Sequence, residues 1–373
     1  MPSQRIDIGL YLPPQPPLGQ LKMLAWGARL GRFDTLMLWD HLQDFYPASL
    51  WDEDFIWVGR QRSSPHQYYE WRTMLGYLAG RAGGMRLGIG VTEVNRHHPV
   101  ILAQSMVTLA HLTKRAPILG LGAGERENTE PYGIDMSAPV GRLEEGLQIL
   151  RHFLDDGSPL DFDGKHFRLE QAIMDLPVPP RRKPAIWVGA SGPRMLRLTG
   201  TYGDGWYPGF VMSPERYAEG LAAIRQAARE AGRNPGIITP SMQSVVMVVS
   251  DERELAGVLG EPAIRLLALT MAAETWREEG LTHPLGEEFR GVMDFMPGKL
   301  DRAGWEEALA AATPEIVLRA GIFGTPDEVE RRLRDLGEAG LRHIVLIPAN
   351  ALLSMRQTIY GLWSIWNIKR KLG

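Results

Sequence analysis

GLGAGERENTEPYG, residues 120–133, poses the choice on which the fold turns. Three glycines alternate and acids follow. The stretch is either the nucleotide-binding turn of a doubly wound sheet or the end of a barrel strand that carries an acid. A GxGxxG fingerprint starting at Gly120 needs glycine at position 125, where Glu125 stands. One starting at Gly122 needs it at position 127, where Glu127 stands. A carboxylate is repulsive where backbone must approach a pyrophosphate, and Pro131 and Gly133 keep the segment looped where a helix should begin. The barrel reading fits better. Small residues let the strand pack close to the axis, and Glu125, at its C-terminal end, points into the mouth.

The rest of the chain repeats the same unit. Short apolar runs at 6–12, 35–40, 86–92, 117–124, 185–191, 205–210, 244–250 and 343–348 suit a parallel sheet buried on both faces. Amphipathic segments lie between them: Leu21, Leu24, Ala25 and Ala28 keep helical spacing, as do Val140, Leu143, Leu147 and Leu150. Eight strands, mostly each followed by a helix, predict an α/β fold of the (β/α)₈ TIM-barrel type, with the doubly wound sheet as runner-up. Three segments exceed the minimal unit and are expected as insertions on one domain spanning 1–373. They follow strands two, four and seven, at 41–72, 157–184 and 252–316. The first holds eight aromatics, the second a hairpin turn at Asp163-Gly164, and the third is helical and ends near the cap signal Gly324-Thr325-Pro326-Asp327.

Composition narrows the function. The 373 residues are 44% hydrophobic and 23% charged, with net charge −3, so no basic field favours nucleic acid. The absence of cysteine excludes disulfides, zinc thiolates and a cysteine nucleophile. MPSQRIDIGLYLPP lacks a basic segment leading into an apolar one, and no apolar run approaches the roughly 18 residues of a membrane helix. The expectation is a cytoplasmic protein without stable membrane insertion.

Candidate chemistry gathers at strand ends. Asp40-His41 closes strand two, and histidine exchanges a proton near neutral pH. Strands two and four have the same parity, so His41 and Glu125 can share one layer of the mouth, one donating and one accepting. Ala190-Ser191-Gly192-Pro193-Arg194 runs from strand five into a helix. Proline fits the first helical position, and the free amides of a helix start suit an anion. An ordinary capped helix explains that stretch too. Arg96-His97-His98-Pro99 is no metal motif: adjacent histidines rarely share an ion, and no HExxH accompanies them. No metal is expected.

Asp40-His41, Gly90-Val91 with RHHP, GLGAGE, ASGPR and DGWYPG (204–209) form one ordered set. The set resembles the luciferase-like superfamily, in the branch that uses the deazaflavin coenzyme F420, over nearly the whole chain and including GTPDEV (324–329). GERENTEPYG, GPRMLRLTGTYGDGWYP (192–208) and HPLGEEFRGVMDFMP (283–297) are most similar to the phthiodiolone ketoreductases of that branch. Methylenetetrahydromethanopterin reductase and F420-dependent glucose-6-phosphate dehydrogenase are more distant. The resemblance implies an oxidoreductase that moves hydride between F420 and a carbonyl or alcohol. It implies that Asp40 contacts the deazaflavin, that His41 and Glu125 handle the proton, and that Gly90–Val91 is a non-proline cis peptide forming a bulge under the ring. It further implies that Ser191, Gly192, Pro193 and Arg194 hold the cofactor phosphate, and that the protein is a homodimer. Leu12-Pro13-Pro14 stands where the sugar-phosphate dehydrogenase has an acid, and no lysine follows strand six. With the aromatic 41–72 loop this predicts an apolar or bulky small-molecule substrate. The alternatives are an FMN-dependent monooxygenase on the same fold and a cofactor-binding protein without turnover.

Overall fold

The computed structural model describes residues 5–372; the first four residues of MPSQRIDIGLYLPP lie outside it. Its strands are β1 (Asp7–Leu12), β2 (Thr35–Leu38), β3 (Arg86–Thr92), β4 (Ile118–Leu121), β5 (Leu160–Asp163), β6 (Arg168–Ala172), β7 (Ala185–Val188), β8 (Gly205–Trp206), β9 (Thr239–Val248), β10 (Gly321–Gly324) and β11 (His343–Pro348). β1, β2, β3, β4, β7, β8, β9 and β11 pair in parallel in that order, and β11 returns to β1. The eight-stranded barrel is closed, with helices outside it, and the (β/α)₈ expectation holds.

Side chains alternate between two cores. Tyr11, Met37, Ile118, Trp187, Tyr207 and Val345 fill the barrel interior. The outward residues of the same strands, such as Ile8, Leu10, Leu36 and Leu38, pack under the helices. Both faces are apolar, which is why the strands lack polar alternation in the sequence.

Most strands stop short of the runs that predicted them. β2 ends at Leu38, β4 at Leu121 and β7 at Val188, so Asp40-His41, Gly122–Glu125 and Gly189–Ser191 leave the ladder as mouth loops. Two differences are larger. β9 begins at Thr239 rather than 244, because Pro240 sits near its start, where a missing N–H is tolerated. β10 is a ninth parallel strand on β9, formed by the four-residue run Gly321–Gly324 just before the capping box of Thr325 and Glu328.

Each insertion has its own structure. Residues 157–184 hold the antiparallel hairpin β5–β6. Its loop is Gly164–Phe167, and the N–H groups of Lys165, His166 and Phe167 all donate to the Glu145 carboxylate. A Cβ on Gly164 would lie 2.4 Å from Glu145 Oε2, so glycine is what lets that carboxylate approach. The other two insertions pack together. Tyr46, Leu50, Phe55, Ile56 and Val58 from the loop after β2 join Ile264, Leu266, Trp276, Phe295 and Trp305 from the segment after β9 in a second hydrophobic cluster. Tyr46 Oη donates to the Ala263 carbonyl at 3.1 Å, and Arg302 pairs with Asp52 at 2.6 Å. The two insertions thus form one cap over the barrel mouth. Among the described residues no helix is long and apolar enough to cross a membrane.

Candidate active site

A cavity of about 1010 Å³ opens at the C-terminal ends of the strands and runs on into a groove between the first and last helices. Asp40, His41, Gly90, Val91, Glu125, Ser191, Tyr207 and Gln243 line it from the barrel, and Phe45, Trp51, Trp57 and Tyr68 from the cap.

The glycines of 120–133 set its floor. A Cβ on Gly120 would lie 2.4 Å from the Ile89 carbonyl oxygen and 3.1 Å from Gly90 Cα, and one on Gly122 would lie 2.9 Å from Val91 Cγ2. Only glycine lets β4 close on β3 here. The Gly90–Val91 peptide is cis, as the resemblance implied, and the β3–β4 register shifts between Ile89 and Thr92. The alternating glycines are therefore contacts between strands, not a phosphate loop.

His41 and Glu125 meet as predicted, with Nε2 and Oε2 3.8 Å apart. The imidazole is boxed by aromatic rings: Tyr68 stacks at 5.8 Å, and Phe45 meets it edge-on at 5.2 Å. Its tautomer follows from its neighbours. Nδ1 lies 3.0 Å from the Gln43 carbonyl oxygen, which can only accept, so Nδ1 carries a proton. Asn128 Nδ2 lies 3.2 Å from the same nitrogen but donates instead to Glu127 Oε1 at 3.0 Å. Nε2 is left facing Glu125 and the cavity.

Glu127 and Asn128 were missed in the sequence, and both are buried behind His41. Asn128 Oδ1 accepts from the N–H groups of Leu42 at 2.6 Å and Gln43 at 3.1 Å, which clamps the chain beyond His41. Glu127 Oε1 lies 3.9 Å from His41 Nδ1, its side chain is fully buried, and its other oxygen has no hydrogen-bond partner. Burial first, then the nearby charge of Glu125, pushes its carboxyl up to about 11. Glu127 is a neutral acid beneath a histidine–carboxylate pair. The signal that could have found these residues is the run Glu-Arg-Glu-Asn-Thr directly after a barrel strand. There, polar density marks the mouth.

Asp40 is held from behind. Its Oδ2 accepts from Thr92 Oγ1 at 2.6 Å and His97 Nε2 at 2.9 Å, and lies 3.0 Å from an Arg96 amino nitrogen. Burial opposes ionisation, but the His97 hydrogen bond, the Arg96 guanidinium and the Thr92 hydroxyl outweigh it and hold the carboxyl below its ordinary value. Arg96 also pairs with buried Glu93. His98 does something else: its Nδ1 accepts from Val100 N–H at the start of the helix Pro99–Leu112. RHHP is thus a support for Asp40 plus a helix cap.

The predicted phosphate residues separate. Ser191 lines the cavity, and Gly192 caps the helix Pro193–Tyr202, with Pro193 at its first position. The Arg194 side chain turns away and donates to Glu144 at 2.8 Å, beside a second groove against the β5–β6 hairpin. Ser191 faces the site; Gly192, Pro193 and the guanidinium do not line it.

The luciferase-like monooxygenase family model matches residues 54–343. The phthiodiolone/phenolphthiodiolone dimycocerosates ketoreductase of Mycobacterium sp. (strain JLS) is 34% identical over 98% of this chain and 97% of its own. The 5,10-methylenetetrahydromethanopterin reductase of Archaeoglobus fulgidus is 26% identical over 78% and 84%. Among solved structures, an F420-dependent secondary alcohol dehydrogenase in complex with an F420-acetone adduct covers 99% of this chain and 100% of its own, with TM-score 0.77 and 18% identity. A type II Baeyer-Villiger monooxygenase of Pseudomonas putida in complex with FMN covers 97% of each, with TM-score 0.65 and 17% identity. At that identity the two structures speak for the fold alone. The family match and the ketoreductase relative, taken with the closed barrel and its cavity, show that the chain belongs to the luciferase-like family and is an oxidoreductase.

Proposed function

We propose that this protein is an F420-dependent ketoreductase acting on an apolar or bulky carbonyl compound. The observation that carries the proposal is the His41–Glu125 pair with buried Glu127 behind it, set against the Gly90–Val91 bulge. The residues present fit a deazaflavin. Tyr11 Oη, Tyr207 Oη and Gln243 Oε1 all belong to cavity-lining residues and are buried without hydrogen-bond partners, as a ring with carbonyl and N–H edges requires. Val91 and the glycines beside it would carry the ring's face. Asp40 and Ser191 would hold its polar parts.

When bound and reduced, F420 supplies a hydride to the carbonyl carbon. The proton is this chain's work. His41 Nδ1–H is fixed to the Gln43 carbonyl, so protonated His41 presents Nε2–H to the developing alkoxide oxygen. Glu125 returns a proton to the ring. Glu127, neutral and buried, adds no second negative charge that would hold that proton on the imidazole. In the reverse direction the same Nε2 takes the alcohol proton. The aromatic cap shields His41 from water more than Glu125, their side chains being 11% and 26% exposed.

The test is anaerobic mixing of protein and reduced F420 with ketones of increasing apolar bulk. The coenzyme should be oxidised in step with alcohol formation, and no coenzyme oxidation with any ketone would refute the reading. The FMN-bound relative of the same fold motivates a second reading, an FMN-dependent monooxygenase. That enzyme would consume oxygen with reduced FMN and give an oxygenated product.

A further inference from the structure

The helices Leu18–Leu30 and Met355–Leu372 are the first and last of the barrel, and both are unusual for surface elements. The chain holds 44 acidic residues, yet neither helix contains one. Met23, Trp26 and Leu30 form an outward stripe on the first helix, and Met355, Ile359 and Trp363 one on the last. All six are exposed, five of them by more than half. Lys22 and Arg29 flank the first stripe, and Arg356 and Arg370 lie along the second. None of the four has an acidic partner among the described residues. Lys369 and Lys371 are neutralised by acids from neighbouring elements, Asp34 and Glu330. The groove between the stripes is floored by Leu10, Leu12 and Phe33 and is continuous with the cavity that holds His41.

We propose that this face docks the protein on the surface of an anionic lipid bilayer, and that the groove admits a bilayer-held substrate to the site. Exposed tryptophans among aliphatic side chains, on two helices that carry cations and no acid, match the headgroup boundary in both layers: apolar groups below it and anionic phosphates at it. A second copy of the chain is a poor occupant, because a two-fold contact would bring two patches of the same positive sign together. The docking face stands on the patch itself. Only the delivery of substrate rests on the ketoreductase reading.

The test is flotation of the purified, cofactor-free full chain with vesicles of phosphatidylcholine alone and of phosphatidylcholine with one-third phosphatidylglycerol. The protein should float with the anionic vesicles, and less so as salt is raised. The exposed substitutions Trp26→Ser with Trp363→Ser, and separately Lys22→Glu with Arg370→Glu, should each lower that partition about tenfold or more while leaving the melting temperature in place. The charge pair reads the proposal independently if the tryptophan pair folds poorly. Absence of flotation on both compositions would overturn the proposal. So would flotation unaffected by either pair, or a fall in sedimenting mass on Trp26→Ser/Trp363→Ser, which would make the face a subunit contact. Flotation needs no cofactor. A protein that floats but binds no F420 keeps the docking face and loses the cofactor reading, and the opposite result loses only the face.

Discussion

At this barrel mouth the neighbours of one histidine decide which of its nitrogens carries the proton. The Gln43 carbonyl fixes that proton on Nδ1, which leaves Nε2 facing Glu125, and the proposed reaction exchanges its proton there. His41→Ala and Glu125→Gln should each lower kcat by about 10²–10⁴-fold, with cofactor affinity kept. Steady-state rates beside a binding titration check this, and unchanged turnover in both variants would remove the acid–base roles. Glu127 has a signature in stability. Its folded-state pKa is raised, so the native state binds a proton that the unfolded chain releases above about pH 4.3. The resulting stability is fully present below that pH and is lost as pH rises toward the folded value, about 11. Glu127→Gln keeps the acceptor for Asn128 without this penalty. Its melting temperature should exceed that of the parent at pH 8, and the gap should close near pH 4. Equal temperatures at pH 8 would contradict a buried neutral acid. His41 and Glu125 were legible in the sequence as strand-end residues of equal parity. Glu127 and Asn128 were not, because their roles depend on the turn after Glu125 folding back beneath the loop at 41–43, a contact between segments some 85 residues apart.

At the scale of elements, β3 and β4 meet where neither strand has room for a side chain. Gly120→Ala should destabilise the protein by about 1–3 kcal/mol, because its Cβ meets backbone that cannot step aside. Denaturant midpoints measure this, and a neutral result would mean that β4 does not press on the Gly90–Val91 bulge. Arg96 joins the end of β2 to the loop after β3 by pairing with Asp40 and Glu93, both buried. Arg96→Met strands two carboxylates away from water and should cost about 3–5 kcal/mol, less in acid where they can protonate. The barrel strands were visible as apolar runs because a parallel strand is covered on both faces. β10 was not, since Gly-Ile-Phe-Gly is too short to show a period, and its partner is the far end of β9. The start of β9 was hidden by Pro240, which breaks a strand elsewhere but is tolerated near the first residue. Arg194 illustrates the limit of motif reasoning. Its place in the ASGPR turn is fixed by sequence, but Glu144 on the preceding helix decides where its charge goes.

Over the whole molecule, the insertions after β2 and β9 share one apolar cluster and cover the mouth as a unit. That joint cap explains the aromatic run at 41–72. Phe55 is spent on packing, Tyr46 both packs and lines the cavity, and Phe45, Trp57 and Tyr68 line it too, so cap and apolar pocket come from the same run of sequence. Cofactor that enters this cavity binds only the folded chain, so F420 at about one hundred times its Kd should add about 2.7 kcal/mol of stability, read as a rise in melting temperature. The most direct measurement is an equilibrium titration with F420 and, separately, with FMN, following the quenching of the eleven tryptophans. Saturable micromolar binding of F420, with FMN binding much more weakly, is the predicted result. Micromolar binding of FMN with none of F420 would contradict the account.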